Sequence, residues 1–321
     1  MDERIVMGID TSNYTTSVSL MTTDGRLLAN IKRPLPVKPG ERGLRQSDAV
    51  FAHVKNLPSA MEEARAILSG RQPVCIGVSS RPRNVEGSYM PCFLAGGSAA
   101  MSAGAALGIP VYEFSHQCGH IMAALFSSGM TDLADGNDFL AFHISGGTTE
   151  LLAARSSSSG FDTRLLGGTA DINAGQLIDR TGVLMGMPFP AGAHLEAAAL
   201  EYTGKLPKRK IALTDGSINL SGIENIAAKM YHDTGDARQV SAFVLEYVAG
   251  AIIALCDYGI SVCGDLPKVF AGGVMSNSII KTRLRARYGD TAHFAEPALS
   301  ADNAVGIAAL ARRRYMNMKE S

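Results

Sequence analysis

His116 and His120 stand four residues apart in the run Ser115-His116-Gln117-Cys118-Gly119-His120. On a helix that spacing puts both imidazoles on one face, a turn apart, where they can grip a single divalent cation. Two histidines call for a third ligand, usually a carboxylate, and Asp302 in Ala301-Asp302-Asn303 is the candidate. The alternative is a pair of solvated or hydrogen-bonded surface histidines. The protease motif His-Glu-x-x-His is absent, so no glutamate stands between the two histidines as general base, and metalloprotease chemistry is set aside. Cys118 lies between them but points away from their shared face, as a packing thiol would.

A second set of residues suits phosphate. The 34 glycines include the pairs Gly96-Gly97, Gly146-Gly147, Gly167-Gly168 and Gly272-Gly273, each beside an apolar run. Glycine at a strand end lets backbone approach a ligand closely and presents bare N–H groups to an anion. Any single pair can equally mark an ordinary tight turn.

The elements that must position these residues follow from periodicity. Alternation predicts strands at 5–10, 17–21 and 26–31, with the Asp24-Gly25 turn between the last two. Helical spacing predicts a helix over 47–68 after a Pro/Gly-rich loop at 34–43. A buried-type strand at 74–78, a small-residue helix at 93–107, a short strand at 109–111 and the histidine helix follow. The pattern restarts with strands at 139–144 and 150–153 around a Gly-Gly turn, and 156–160 reads as a serine-rich loop. Helices then run over 174–185, 192–202, 223–231 and 240–262. A strand at 269–271, a helix after Gly273 and one from Asp302 close the chain. Ala95, Gly96, Ala99, Ala103 and Gly104 allow close approach to the 93–107 helix, by internal packing or by a second subunit.

Composition bounds the rest. The 321 residues suit two lobes, and 46% hydrophobic with 19% charged residues is globular. Thirty basic and thirty acidic residues cancel, so any nucleic-acid surface must be a local patch. The chain opens on a strand pattern rather than a signal peptide, and no apolar run suggests a membrane span. Five irregularly spaced cysteines read as free thiols in a reducing cytoplasm.

Two strand–Gly–strand openings, at Asp10 and Ser145, suggest duplicated lobes around a nucleotide cleft. That α/β architecture is shared by acetate kinase, sugar kinases, heat-shock ATPases and actin. Within it the chain resembles the tRNA threonylcarbamoyladenosine transferases (TsaD). Met7-Gly8-Ile9-Asp10-Thr11-Ser12 is similar to the family's G-I-E-T-S, and His53 to the histidine of R-D-H-V. His116 and His120 match its H-x-x-x-H, and Ile144 to Thr149 its V-S-G-G-H-T. Leu166 to Arg180 is similar to L-G-x-x-x-D-D-A-x-G-E-x-F-D-K, and Pro190-Ala191-Gly192 to P-G-G. Ser221-Gly222-Ile223 is similar to S-G-L-K, Ala271 to Asn277 to A-G-G-V-x-x-N, and Ala301-Asp302-Asn303 to T-D-N. The motifs run in order along nearly the whole chain.

The resemblance implies a first lobe at 1–130 with the metal helix and a second at 131–300 with the nucleotide loops. A C-terminal helix at 301–321 would pack back on the first lobe and supply Asp302. It implies iron or zinc on His116, His120 and Asp302. ATP, ADP or threonylcarbamoyl adenylate would lie on Ser145, Gly146, Gly147, Asp179, Gly192 and Asn277. It implies a cytoplasmic transferase acting on N6 of a tRNA adenosine, with a homo- or heterodimer of related folds left open. Five motifs depart from the family. Tyr14 and Thr15 replace its acidic pair, and Phe51-Ala52 its R-D. Arg83 to Gly87 replaces its G-P-G-L, Thr148 its histidine, and Glu224 its lysine. Metal and nucleotide positions persist while acid/base positions change. A catalytically altered paralogue acting as a nucleotide-binding partner is therefore the alternative, and no catalytic acid or base can be assigned.

Overall fold

The computed structural model describes residues 4–12, 14–36, 44–300 and 304–320. The chain divides into two compact units: Met1–Gly136 with Ser156–Asp162 and Ala301–Ser321, and Asn137–Arg155 with Thr163–Ser300.

The first unit is built on β1 (Ile5–Ser12), β2 (Thr15–Thr22), β3 (Leu27–Pro34), β4 (Pro73–Arg81) and β5 (Val111–Ser115), in the order β3-β2-β1-β4-β5. β1 to β3 are an antiparallel meander, whereas β4 and β5 join in parallel. Every residue of β1 is buried, which explains the unbroken apolar start Ile5-Val6-Met7-Gly8-Ile9 before the buried polar Asp10, Thr11 and Ser12. Ile5, Met7 and Ile9 share a core with Leu57, Ala60 and Ala64 of α1 (Gln46–Leu68) and with Ala95 and Ala100 of α2 (Phe93–Leu107). Gly8 and Gly77 leave room for the C-terminal helix Val305–Glu320: a Cβ on Gly8 would lie 2.5 Å from Ala304 O, and one on Gly77 2.7 Å from Ile307 O. Gly96 and Gly104 of α2 serve internal packing: a Cβ on Gly96 would lie 2.7 Å from Thr11 Oγ1, and one on Gly104 2.3 Å from Val111 Cγ2. α3 (His116–Ser127) completes this unit.

The second unit carries β6 (Asp138–Ile144), β7 (Thr149–Ser157), β8 (Gly160–Thr169), β9 (Leu213–Thr214), β10 (Ser217–Ile218), β11 (Lys268–Ala271) and β12 (Ala292–Phe294). Its order is β12-β11-β6-β7-β8-β10-β9. The stretch β8-β7-β6-β11-β12 repeats the first unit's order, so the two strand–Gly–strand openings head duplicated sheets. Helices α4 (Ala174–Leu184), α5 (Gly192–Leu200), α6 (Ser221–Thr234), α7 (Ala237–Cys263), α8 (Ser278–Tyr288) and the short α9 (Pro297–Ser300) complete it. α7 is long and apolar enough to cross a membrane by length and composition, with a mean hydropathy of 1.8, against the sequence expectation of no such run. Two-thirds of that window is buried inside the protein, where Phe243, Val244, Val248 and Ile252 pack against Leu140, Phe142 and Phe270. It is the core helix of this unit.

Local differences from the sequence expectation have physical causes. β8 is a ten-residue strand that sequence reading leaves out, and the serine-rich segment is the tip of the β7–β8 hairpin. That tip groups with the first unit, tied by Asn84 Nδ2 donating to Phe161 O at 3.1 Å. The short strand expected at 109–111 is β5, displaced to Val111–Ser115, because β4 pairs with it in parallel from Ile76 onward.

Candidate metal and nucleotide sites

β5 delivers the chain to α3 through Ser115, whose hydroxyl caps the helix by accepting from Cys118 N at 3.2 Å. His116 then occupies the first turn and His120 the next, with ring centroids 4.3 Å apart in an edge-to-face arrangement. Asp10, fully buried at the far end of β1, accepts a hydrogen bond from His116 Nδ1 at 3.1 Å. Burial pushes the Asp10 carboxyl up, but the His116 imidazole and the Ser12 hydroxyl outweigh it and hold the group below the usual carboxylate range. A neutral imidazole that donates through Nδ1 carries its lone pair on Nε2, the arrangement a metal ligand needs. The donor set therefore fits a divalent cation.

Among the described residues no group of three His, Cys, Asp or Glu side chains is placed to hold a metal. Asp302, the predicted third ligand, lies outside the described residues. Its near neighbour in sequence is placed: a Cβ on Gly306 would lie 1.8 Å from Gly119 O, so the start of the C-terminal helix rests on α3. Cys118 faces away from the pair, buried, and hydrogen-bonds Asn84 Nδ2 at 3.2 Å and Phe161 O at 3.5 Å. Burial pushes its thiol up, as expected of an inert packing cysteine. All five cysteines are free thiols.

The second set gathers in the second unit around a cavity of about 460 Å³, within the range of small-molecule sites. Gly146, Asp179, Gly192 and Asn277 line it, joined by Gly273 and Glu196. Ser145 and Gly147 shape the turn that presents Gly146: Ser145 Oγ accepts from Gly147 N at 3.2 Å and Thr148 N at 3.1 Å. Glycine plays two distinct roles here. A Cβ on Gly175 would lie 2.6 Å from Gly146 N, and one on Gly272, at φ +100°, 2.2 Å from Ile144 O, so packing requires both. At Gly146, Gly147 and Gly273 a Cβ would meet nothing within 4 Å. Internal packing gives no reason for bare backbone at those three positions.

Asp179 stands on α4 and accepts from Ala191 N at 2.8 Å, which fixes the entry to α5 beside Gly192. Burial pushes its carboxyl up. Asn277 caps α8, accepting from Ile280 N at 3.1 Å. Glu196 accepts from Ser278 N at 2.8 Å, tying α5 to the same helix start. Sequence reading noted Gly273 within a pair but had no signal for Glu196, whose partner is 82 residues away.

The departing Tyr14, Thr15 and Glu224 and the matching His53 are also placed. Tyr14 is exposed and Thr15 half-buried, at the turn between β1 and β2. His53 is buried and shares a hydrogen bond with Thr16 Oγ1 at 2.8 Å. Glu224 pairs with Arg180 at 3.2 Å on the rim of a separate cavity of about 430 Å³ that Asp179 and Phe189 also line.

Comparison with known proteins adds a family to this geometry. A family model described as tRNA N6-adenosine threonylcarbamoyltransferase, TsaD, matches residues 36–309. A curated protein of that name from Streptococcus suis is 28% identical over 327 residues, covering 98% of this chain and 94% of its own length. Among solved structures, the activator of 2-hydroxyisocaproyl-CoA dehydratase from Clostridium difficile with bound ADPNP is similar at a TM-score of 0.55 and 12% identity. It covers 99% of this chain and 98% of its own. A ROK family glucokinase from Streptomyces griseus in complex with glucose and AMPPNP is similar at 0.51 and 15% identity, covering 96% and 99%. These likenesses show the fold, that of the actin-like and sugar-kinase proteins.

Proposed function

The chain belongs to the tRNA N6-adenosine threonylcarbamoyltransferase family, and we propose that it moves a threonylcarbamoyl group from an adenylate to N6 of an adenosine in tRNA. The observation that carries the adenylate half is the trio Gly146, Gly147 and Gly273, bare where no internal neighbour requires it, beside Asp179 and Asn277. The trio's N–H groups suit phosphate oxygens, and the Asp179 carboxylate suits ribose hydroxyls.

His116 and His120 would hold a divalent metal with Asp302 as third ligand, and the resting of Gly306 on Gly119 supports that choice. Such a metal supplies Lewis-acid polarisation of a carbonyl and neutralises phosphate charge. Asp10 fixes the His116 tautomer. In the transfer itself a bond forms between adenosine N6 and the carbamoyl carbon, the bond to the phosphate oxygen breaks, AMP leaves, and N6 sheds one proton. Orientation of the two substrates supplies much of the acceleration. No carboxylate stands at positions 14 and 15 to take the proton, and loss of general-base help typically lowers a rate by ~10²–10⁴-fold. The same departures support a second reading, in which the chain binds nucleotide and metal as the partner of a related transferase.

The test is incubation with threonylcarbamoyl adenylate and unmodified tRNA, with nucleosides analysed by mass spectrometry. Modified adenosine formed at a reduced rate, and lost in His116→Ala, is the expected result. Absence of product with intact ADP binding would leave the partner reading in its place.

A further inference from the structure

The neutral overall charge hides one concentrated basic surface. Between Gly204 and Ile211 the chain carries Lys205, Lys208, Arg209 and Lys210 and no carboxylate. None of the four forms an ion pair among the described residues. The segment borders an open cavity of about 440 Å³ lined by Lys208, Arg209, Phe243, Glu246, Tyr247 and Arg283. Glu246 is matched by Arg283 at 3.1 Å, so it leaves the Lys208 and Arg209 charges uncompensated. Tyr247 lines the same cavity, and among the described residues nothing hydrogen-bonds its hydroxyl. A phenol hydroxyl on an open cavity can donate to an oxygen of a bound ligand. The place is also close to the proposed nucleotide cavity. Arg283 lies on α8, the helix that Asn277 caps, and six residues at 1.5 Å each separate them by about 9 Å.

We propose that this surface holds the acceptor RNA by its phosphate backbone, with Lys208 and Arg209 on phosphates and the Tyr247 hydroxyl on a phosphate or ribose oxygen. The inference rests on the acceptor being RNA, as argued above. Neutralised phosphates release counterions, so binding must weaken steeply with salt, and each cation removed lowers the slope of log affinity against log salt by about one.

The experiment measures unmodified tRNA binding by fluorescence anisotropy between 50 and 300 mM salt, with ADP calorimetry alongside. The variants are Lys208→Gln/Arg209→Gln, Tyr247→Phe, and Lys229→Gln on the exposed face of α6 as control. The double variant is expected to bind tRNA about tenfold or more weakly with a slope lower by about two, and Tyr247→Phe a few-fold more weakly, with ADP affinity unchanged. Undiminished tRNA binding in the double variant would overturn the surface while leaving the RNA acceptor standing. Failure of the unsubstituted protein to bind tRNA at any salt would overturn both. Equal losses toward tRNA, heparin and anionic vesicles, with no change in the KM for tRNA, would reduce the surface to a general anion sink and overturn its role.

Discussion

At the scale of single residues, a buried and a half-buried aspartate do opposite things. Asp10 is fully buried and held ionised, because the His116 imidazole and the Ser12 hydroxyl donate to it. An ionised carboxylate behind His116 sharpens the imidazole as a ligand, which a solvated surface histidine would not need. Asp179 is pushed up by burial and keeps one backbone donor, Ala191 N. Its remaining acceptor capacity faces the cavity that Gly192 and Asn277 also line. Asp179→Ala is therefore expected to weaken ADP binding by ~1.5–3 kcal/mol, through loss of charge-assisted bonds to ribose. Asp179→Asn keeps an acceptor for Ala191 N and should lose less. Calorimetry on the two variants checks this; ADP affinity unchanged in Asp179→Ala would remove the residue from the site. The histidine spacing and the glycine pairs could be read directly because each lies within one turn of chain. The Asp10–His116 contact spans 106 residues, and nothing local in the sequence announces it.

At the scale of elements, legibility followed the range of the forces involved. The helices Gln46–Leu68, Phe93–Leu107 and Ala174–Leu184 are close to their expected bounds, since their periodicity is internal. β8 escaped because its closing Gly167-Gly168-Thr169 reads as a turn. Those glycines are required by distant chain: a Cβ on Gly167 would lie 2.3 Å from Gly216 O, and one on Gly168 2.4 Å from Thr149 O. α6 likewise begins at Ser221 for a remote reason. Asp171 accepts from Leu220 N at 2.8 Å and Ser221 N at 2.9 Å, capping the helix from fifty residues upstream. Burial works against this carboxylate, but the Ser221 hydroxyl and the backbone donors bring its pKa down from 3.8 to about 2. A pKa depressed in the folded state means stability that is full above 3.8 and fades as pH falls through about 2. The side chain is exposed, so screening reduces the effect, and a cap of this kind contributes about 1 kcal/mol. Asp171→Ala should destabilise the protein by about that amount at pH 7 in urea melts. The gap should close towards pH 2. A gap independent of pH would mean that the carboxylate charge plays no part in the cap.

At the scale of the whole molecule, the repeated strand order β3-β2-β1-β4-β5 and β8-β7-β6-β11-β12 shows one plan used twice and specialised differently. The first copy carries Asp10 near the end of β1, behind an imidazole pair. The second ends its β6 in a Ser-Gly-Gly turn open to a cavity. Every residue assigned to the nucleotide, from Ser145 to Asn277, falls in the second unit, and both placed metal candidates fall in the first. That division gives a prediction that hydrogen exchange can map. At an ADP concentration of 100 Kd, linkage stabilises the bound state by ~2.7 kcal/mol, enough to slow exchange up to about a hundredfold wherever opening breaks the site. The slowed amides should be those of 144–149, 173–180, 190–196 and 272–278, because these carry the N–H groups that line or shape the cavity. The histidine helix at 116–127 should respond weakly to ADP alone. Protection confined to that helix, with the four glycine-bearing segments unchanged, would place the nucleotide in the first unit and overturn the assignment of Asp179 and Asn277 together.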